Sequence, residues 1–179
     1  MRIDPKEFHV HNLRYIIRST AEDDAKNLSE VRLQIDGETE FLDREQGEAF
    51  IDESGFKKII KEDTESINSL LLVVEVNGRI AGFSRCAGNA LKRTSHKFGV
   101  CILQQYWGFG IGKNLLEASV HWADSNGIKK IALNVLETND KAIRLYKKYG
   151  FEVEGVLKKD KILSDGNYYN TILMGRFND

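Results

Sequence analysis

Apolar positions along this chain fall into short dense blocks and into longer stretches of helical period, and the two alternate. Arg14 to Arg18 (RYIIR) is the first block rich in β-formers and predicts a strand, after a loosely tied leader over residues 1 to 12. Ser19-Thr20-Ala21-Glu22-Asp23 then offers a hydroxyl cap and first-turn acids to a helix reaching about Gln34. A polar stretch from Ile35 to Gly47, with Phe41 and Leu42 embedded, leads to a second helix over Glu48 to Lys61, which Gly55 weakens. Ser69 to Val76 and Ile80 to Cys86 flank Asn77-Gly78, the strongest short hairpin signal. A polar loop from Ala87 to Ser95 leads into a central strand that ends at Leu103.

Beyond that strand the pattern changes. Ile111, Leu115, Leu116, Ser119, Val120, Trp122 and Ala123 share one half of a helical wheel, and Lys113, Glu117, His121 and Asp124 occupy the other. Asn126-Gly127 ends this helix, and Lys130 to Leu136 (KIALNVL) reads as a buried strand. A further helix runs from a cap at Thr138 or Asn139 to Tyr149, closed by Gly150. Phe151 to Leu163 and Tyr168 to Phe177 are two long strands around Asp165-Gly166. The order β-α-α-β-β-β-α-β-α-β-β predicts an α/β protein with a central mixed sheet and helices on both faces. Its parallel pair is the central strand and Lys130 to Leu136, joined through the helix.

Composition narrows the picture without changing it. The 179 residues fit a single domain over 1–179, and 41% hydrophobic content suffices for its core. A formal net charge of −1 argues against nucleic acid or an anionic membrane as partner, and no apolar run reaches the roughly 18 residues of a membrane span. The N-terminus lacks a signal-peptide core, so a cytoplasmic location is expected. Cys86 and Cys101 are too few and too far apart for a disulfide framework or a Cys-rich metal site, and no metal is expected.

The chemistry sits between the central strand and the helix that follows it. Gly108, Gly110 and Gly112 alternate in QQYWGFGIGKNLL, at a helix start whose unpaired amides and dipole favour an anion. A P-loop fails on spacing, because Trp107 stands five before Gly112 and Asn114 follows Lys113. A dinucleotide fingerprint fails because Lys113 replaces its third glycine. A shorter pyrophosphate loop remains.

This loop resembles the acetyl-CoA loop of the GNAT superfamily of N-acetyltransferases, of form [QR]-x-x-G-x-[GA]. Gln105-x-x-Gly108-x-Gly110 and Trp107-x-x-Gly110-x-Gly112 are both admissible registers. The second is preferred because its Gly-x-Gly opens the helix ahead of Leu115 and Leu116, and it sets Trp107 where the family has Gln or Arg. Asn139, Ala142, Leu145, Tyr146, Gly150 and Phe151 fill a second family pattern, N-x-x-A-x-x-L-Y-x-x-x-G-F.

The resemblance implies a GNAT fold, acetyl-CoA as cosubstrate and a primary amine of a small molecule or peptide as acceptor, attacked directly in a ternary complex. It implies cofactor contacts from the backbone of Val100, Cys101 and Ile102, from Gly108, Gly110, Ile111, Gly112 and Lys113, and from Asn139. Tyr146 is implied as proton donor to the departing thiolate. Asn134 stands where some relatives carry a glutamate base, which leaves His96, Glu137, and Glu38 or Glu40 through a water as candidates. Glu38, Glu40 and Glu45 lie in the segment expected to face the acceptor, which favours a neutral or cationic amine. A non-catalytic acyl-CoA-binding module and a nucleotide-binding transferase are the alternatives, and a homodimer is compatible with the sequence.

Overall fold

The computed structural model describes residues 2–42, 44–89 and 92–178. Its eight strands form one sheet, β1 (Lys6–Val10), β2 (Leu13–Ser19), β3 (Ser69–Val76), β4 (Arg79–Asn89), β5 (Lys92–Ile102), β6 (Lys130–Leu136), β7 (Glu152–Ile162) and β8 (Tyr168–Phe177). The spatial order is β1-β2-β3-β4-β5-β6-β8-β7. All neighbours are antiparallel except β5 and β6, the pair joined by a helix, as a parallel pair requires.

Strand alternation assigns the two faces. In β3, Leu70, Leu72, Val74 and Val76 turn to the core beneath α3 (Ile111–Ser125) and α4 (Asp140–Lys148), while Leu71 and Val73 turn to α1 (Ala25–Glu38) and α2 (Glu53–Glu65). The wheel-half residues of α3 are all buried, and the hairpin turn at Asn77-Gly78 has positive φ at both residues, as a primed turn demands.

Four local expectations give way. Residues 1 to 12 are not a leader throughout: Lys6–Val10 pairs with β2, and the Ile3 amide donates to Ser19 Oγ (2.8 Å). The hydroxyl cap is absent because β2 continues through Ser19 and the Thr20 amide and hydroxyl are turned to Leu71 O. The Asp24 carboxylate accepts from the Ala21 amide instead (2.7 Å). The second helix begins at Glu53, five residues late, since Ala49 has φ 45° and Asp52 supplies the cap through Oδ1 to the Gly55 amide (2.7 Å). The polar stretch from Ala87 to Ser95 is mostly ladder, with Gly88 opposite His96 and Asn89 opposite Lys92; its tip, residues 90 and 91, lies outside the described residues. Backbone pairing needs no apolar pattern, so periodicity understated this hairpin.

Candidate active site

β5 and β6 start together and part. Parallel pairing covers only Ser95 to Lys97 against Lys130 to Ala132, after which β5 follows β4 and β6 follows β8. The wedge left between them is a cleft of about 330 Å³ that reaches from the α1 side to the α4 side. Ile35, Leu42, Gly99 to Ile102, Trp107, Asn139 and Tyr146 are among its lining.

Backbone alternation decides what β5 offers this cleft. The Leu103 amide donates to Ala81 O, so in the antiparallel ladder Cys101 turns its peptide groups to β4, while those of Val100 and Ile102 turn away from β4 into the wedge. Of the three residues expected to present backbone, Val100 and Ile102 face the cleft, and Cys101 meets it with its thiol. Trp107 occupies one of these groups, its indole N–H donating to Ile102 O (2.9 Å) while its ring stacks on Phe41 (centroids 6.3 Å, 22°).

At the end of the wedge stands the glycine loop. Gly108 and Gly110 have φ of 89° and 75°, conformations that side chains with a Cβ resist, and Gly110 is the N-cap of α3. The first intrahelical bond runs from the Asn114 amide to Gly110 O (2.9 Å), so the amides of Ile111, Gly112 and Lys113 precede it without helix partners. The Ile111 side chain is core, 1% exposed, which leaves only its amide for a ligand. Gly112 lies inside the helix, and the Lys113 side chain is exposed on its first turn.

α4 supplies the opposite wall. Asn139 caps it through Oδ1 to the Ala142 amide (3.3 Å), and Asn139, Ala142 and Tyr146 fall on one helical face toward the cleft. Tyr146 is 8% exposed, and among the described residues its hydroxyl has no hydrogen-bond partner. Burial, with a smaller contribution from Cys101, pushes its pKa up to about 12, so at neutral pH the hydroxyl holds its proton.

A second cleft, of about 890 Å³, adjoins the first and shares Thr39, Phe41, Leu42, Arg44 and Trp107 with it. Among the described residues Asp36, Glu38, Glu40, Glu45 and Glu48 line it, five carboxylates against the two cations Arg44 and Lys161. Several are already engaged. Glu38 accepts from the Gln104 amide (2.7 Å) and from Gln34 Nε2 (2.9 Å), and Glu40 accepts from the Ser164 amide (2.8 Å). Asp36 is held by Arg44 through Nε to Oδ2 (2.8 Å) and by an ion pair at Oδ1 (2.8 Å) that lacks hydrogen-bond alignment; Arg32 stands 3.9 Å away. Arg44 Nη2 also approaches Cys101 Sγ (3.8 Å), yet burial still raises the thiol's pKa and keeps it neutral.

The base candidates are not brought to the cleft as free groups. His96 is buried against Trp122 (6.3 Å) and burial lowers its pKa; the nearby Asn68 carbonyl pulls the other way without reaching hydrogen-bond geometry. Glu137 accepts from both the amide (2.6 Å) and Nδ2 (3.0 Å) of Asn170. Among the described residues lining the wedge there is no carboxylate. Sequence reasoning missed Arg44, Phe41 as partner of Trp107, and Tyr15 with Asn114 beneath the loop; only the polar Asn114 beside the apolar helix stripe carried a signal.

Residues 31–151 match the Acetyltransferase (GNAT) family. The chain is 32% identical over 108 residues to an L-amino acid N-acetyltransferase of Escherichia coli, covering 59% of this chain and 66% of that protein. It is 42% identical over 57 residues to a spermine/spermidine N(1)-acetyltransferase of Bacillus subtilis, 31% of this chain and 38% of the relative. The matched stretches thus span less than two thirds of these relatives. A crystal structure of a GNAT-family acetyltransferase from Streptococcus pneumoniae superposes with a TM-score of 0.85 at 26% identity, covering 92% of this chain and 99% of that one.

Proposed function

The chain belongs to the GNAT family of acetyltransferases, and from that premise we propose that it transfers an acetyl group from acetyl-CoA to a primary amine by direct attack in a ternary complex. The observation that carries this reading is Tyr146: a residue only 8% exposed that lines the cleft where β5 and β6 part, its hydroxyl protonated at neutral pH and without a hydrogen-bond partner among the described residues.

When bound, acetyl-CoA supplies a thioester whose C–S bond breaks as the amine nitrogen forms the C–N bond. Val100, with both its peptide groups, and the Ile102 amide, whose own carbonyl is held by the Trp107 indole, face the wedge as an added strand would find them, and thereby orient the arm. The amides of Ile111, Gly112 and Lys113 at the positive end of α3 receive the pyrophosphate. Gly108 and Gly110 keep side chains out of its approach. Tyr146 donates its proton to the departing sulfur, and the phenolate takes up the proton that the amine nitrogen loses. A neutral amine therefore needs no further base, and an acceptor arriving as ammonium releases one extra proton to water. No nucleophilic side chain is used. The Cys101 thiol, neutral and beside Arg44, lines the wall as a side chain of the right size rather than as an acyl carrier.

The carboxylate excess of the adjoining cleft supports a neutral or cationic acceptor, closer to the polyamine of the Bacillus relative than to the free amino acid of the Escherichia one. Arg44 would be the natural partner of an acceptor carboxylate, and Asp36 already occupies it. The test is a screen of amines, polyamines, amino acids and peptides with acetyl-CoA, read by release of free thiol. Turnover that ranks polyamines or peptide amines above free amino acids supports the reading. Tight acetyl-CoA binding without turnover of any acceptor would favour a binding module instead.

A further inference from the structure

The β1–β2 hairpin lies outside residues 31–151, the stretch that matches the family, yet it reaches the glycine loop. Tyr15 of β2 is 1% exposed and stacks on Phe8 of β1 (centroids 5.2 Å, 17°). Its hydroxyl donates to Phe109 O (3.2 Å) and accepts from Asn114 Nδ2 (2.6 Å). These partners flank Gly110 on either side: one is a carbonyl of the loop, the other a first-turn side chain of α3. From the same hairpin, His11 meets the Phe109 ring edge-on (6.3 Å, 71°).

A loop containing two left-handed glycines has a wide choice of backbone conformations, and ordering it during binding costs affinity. The tyrosine hydroxyl, tied to loop and helix at once, removes that freedom beforehand. We propose that Tyr15 is a positioning residue for the acetyl donor, its hydroxyl clamping the loop between Gly108 and Gly110 so that the amides opening α3 face the pyrophosphate. This rests on the reading that the loop holds a pyrophosphate. Burial raises the pKa of Tyr15, so the hydroxyl stays a donor through the working pH range.

The experiment compares Tyr15→Phe with wild type on two donors, acetyl-CoA and S-acetylpantetheine, which share the thioester and the arm while only the first carries a pyrophosphate. The KM for acetyl-CoA should rise about threefold to tenfold, the range of one hydrogen bond, with kcat changed less than about twofold. The KM for S-acetylpantetheine should not move. Asn114→Ala, which removes the other half of the clamp, should give the same donor-selective loss and provides an independent route if the tyrosine variant folds poorly. Equal losses on both donors would mean a general packing role and overturn the proposal, as would no loss on either. The underlying reading fails separately: a wild-type enzyme that uses both donors with equal efficiency does not bind a pyrophosphate at this loop.

Discussion

Replacing Tyr146 by Phe removes one oxygen and keeps the ring that packs on Phe151 (centroids 5.7 Å). Because the hydroxyl has no partner among the described residues and keeps some exposure to the cleft, its loss should change unfolding free energy by no more than about 1 kcal/mol. Its effect on turnover is of another kind. General acid catalysis contributes about 10² to 10⁴ in rate. A donor at about 12 facing a thiol with a parent value of about 8.5 transfers its proton uphill, although the thiolate's own value rises in the same desolvated cleft. The lower end applies, a loss of about 10² in kcat, or about 2.7 kcal/mol of transition-state stabilisation. Single-turnover measurements with saturating acceptor would isolate the chemical step, and thermal unfolding would confirm an intact fold. The pH dependence has a definite sign. With its folded pKa raised, Tyr146 favours the native state fully below about 10, and that contribution is lost as pH climbs from about 10 to about 12. The Phe variant lacks this loss and also lacks any alkaline limb near 12 in kcat/KM. Unaltered single-turnover rates would refute the reasoning and return Tyr146 to the core.

Gly110→Val should raise the KM for acetyl-CoA at least about tenfold while circular dichroism stays native. A β-branched residue is strained at φ 75°, by about 1 to 2 kcal/mol, and relieving that strain would shift the loop that opens the helix. Its Cβ would lie 3.9 Å from the Tyr15 hydroxyl, so the effect is conformational and not a clash. Arg44→Met should destabilise by about 3 kcal/mol in urea titration, because Asp36, with 1% side-chain exposure, keeps only Arg32 at 3.9 Å. For a cationic acceptor, kcat/KM should fall between about 0.01 and about 1 M salt, as the Debye length contracts from about 30 to about 3 Å, and a neutral amine should show little change.

What the sequence disclosed was local. Asn77-Gly78 carries its own turn, the stripe of α3 carries its buried face, and Asn139 carries its cap, so each was legible from a few adjacent residues. β1 was not, because an edge strand with only Phe8 and Val10 half-buried has no clear alternation. The wedge is a property of register: no residue in β5 or β6 announces that pairing stops at Lys97 and Ala132. Glu38 and Glu40 were visible as carboxylates of a polar stretch, but their bonds to Gln104 and Ser164 span 66 and 124 residues of chain and could not be read in advance. The Tyr15 clamp is of the same sort, joining positions 94 and 99 apart.

Backbone amide exchange, followed residue by residue with and without saturating CoA, tests the central claim that the parted strands hold the donor. Val100 and Ile102 turn their peptide groups into the wedge, whereas the Leu103 amide is already bonded to Ala81 O. The account predicts that CoA slows exchange at Val100 or Ile102, together with the opening amides of α3, and leaves Leu103 unchanged. Exchange at Val100, Ile102 and Ile111 to Lys113 that is indifferent to saturating CoA would contradict it.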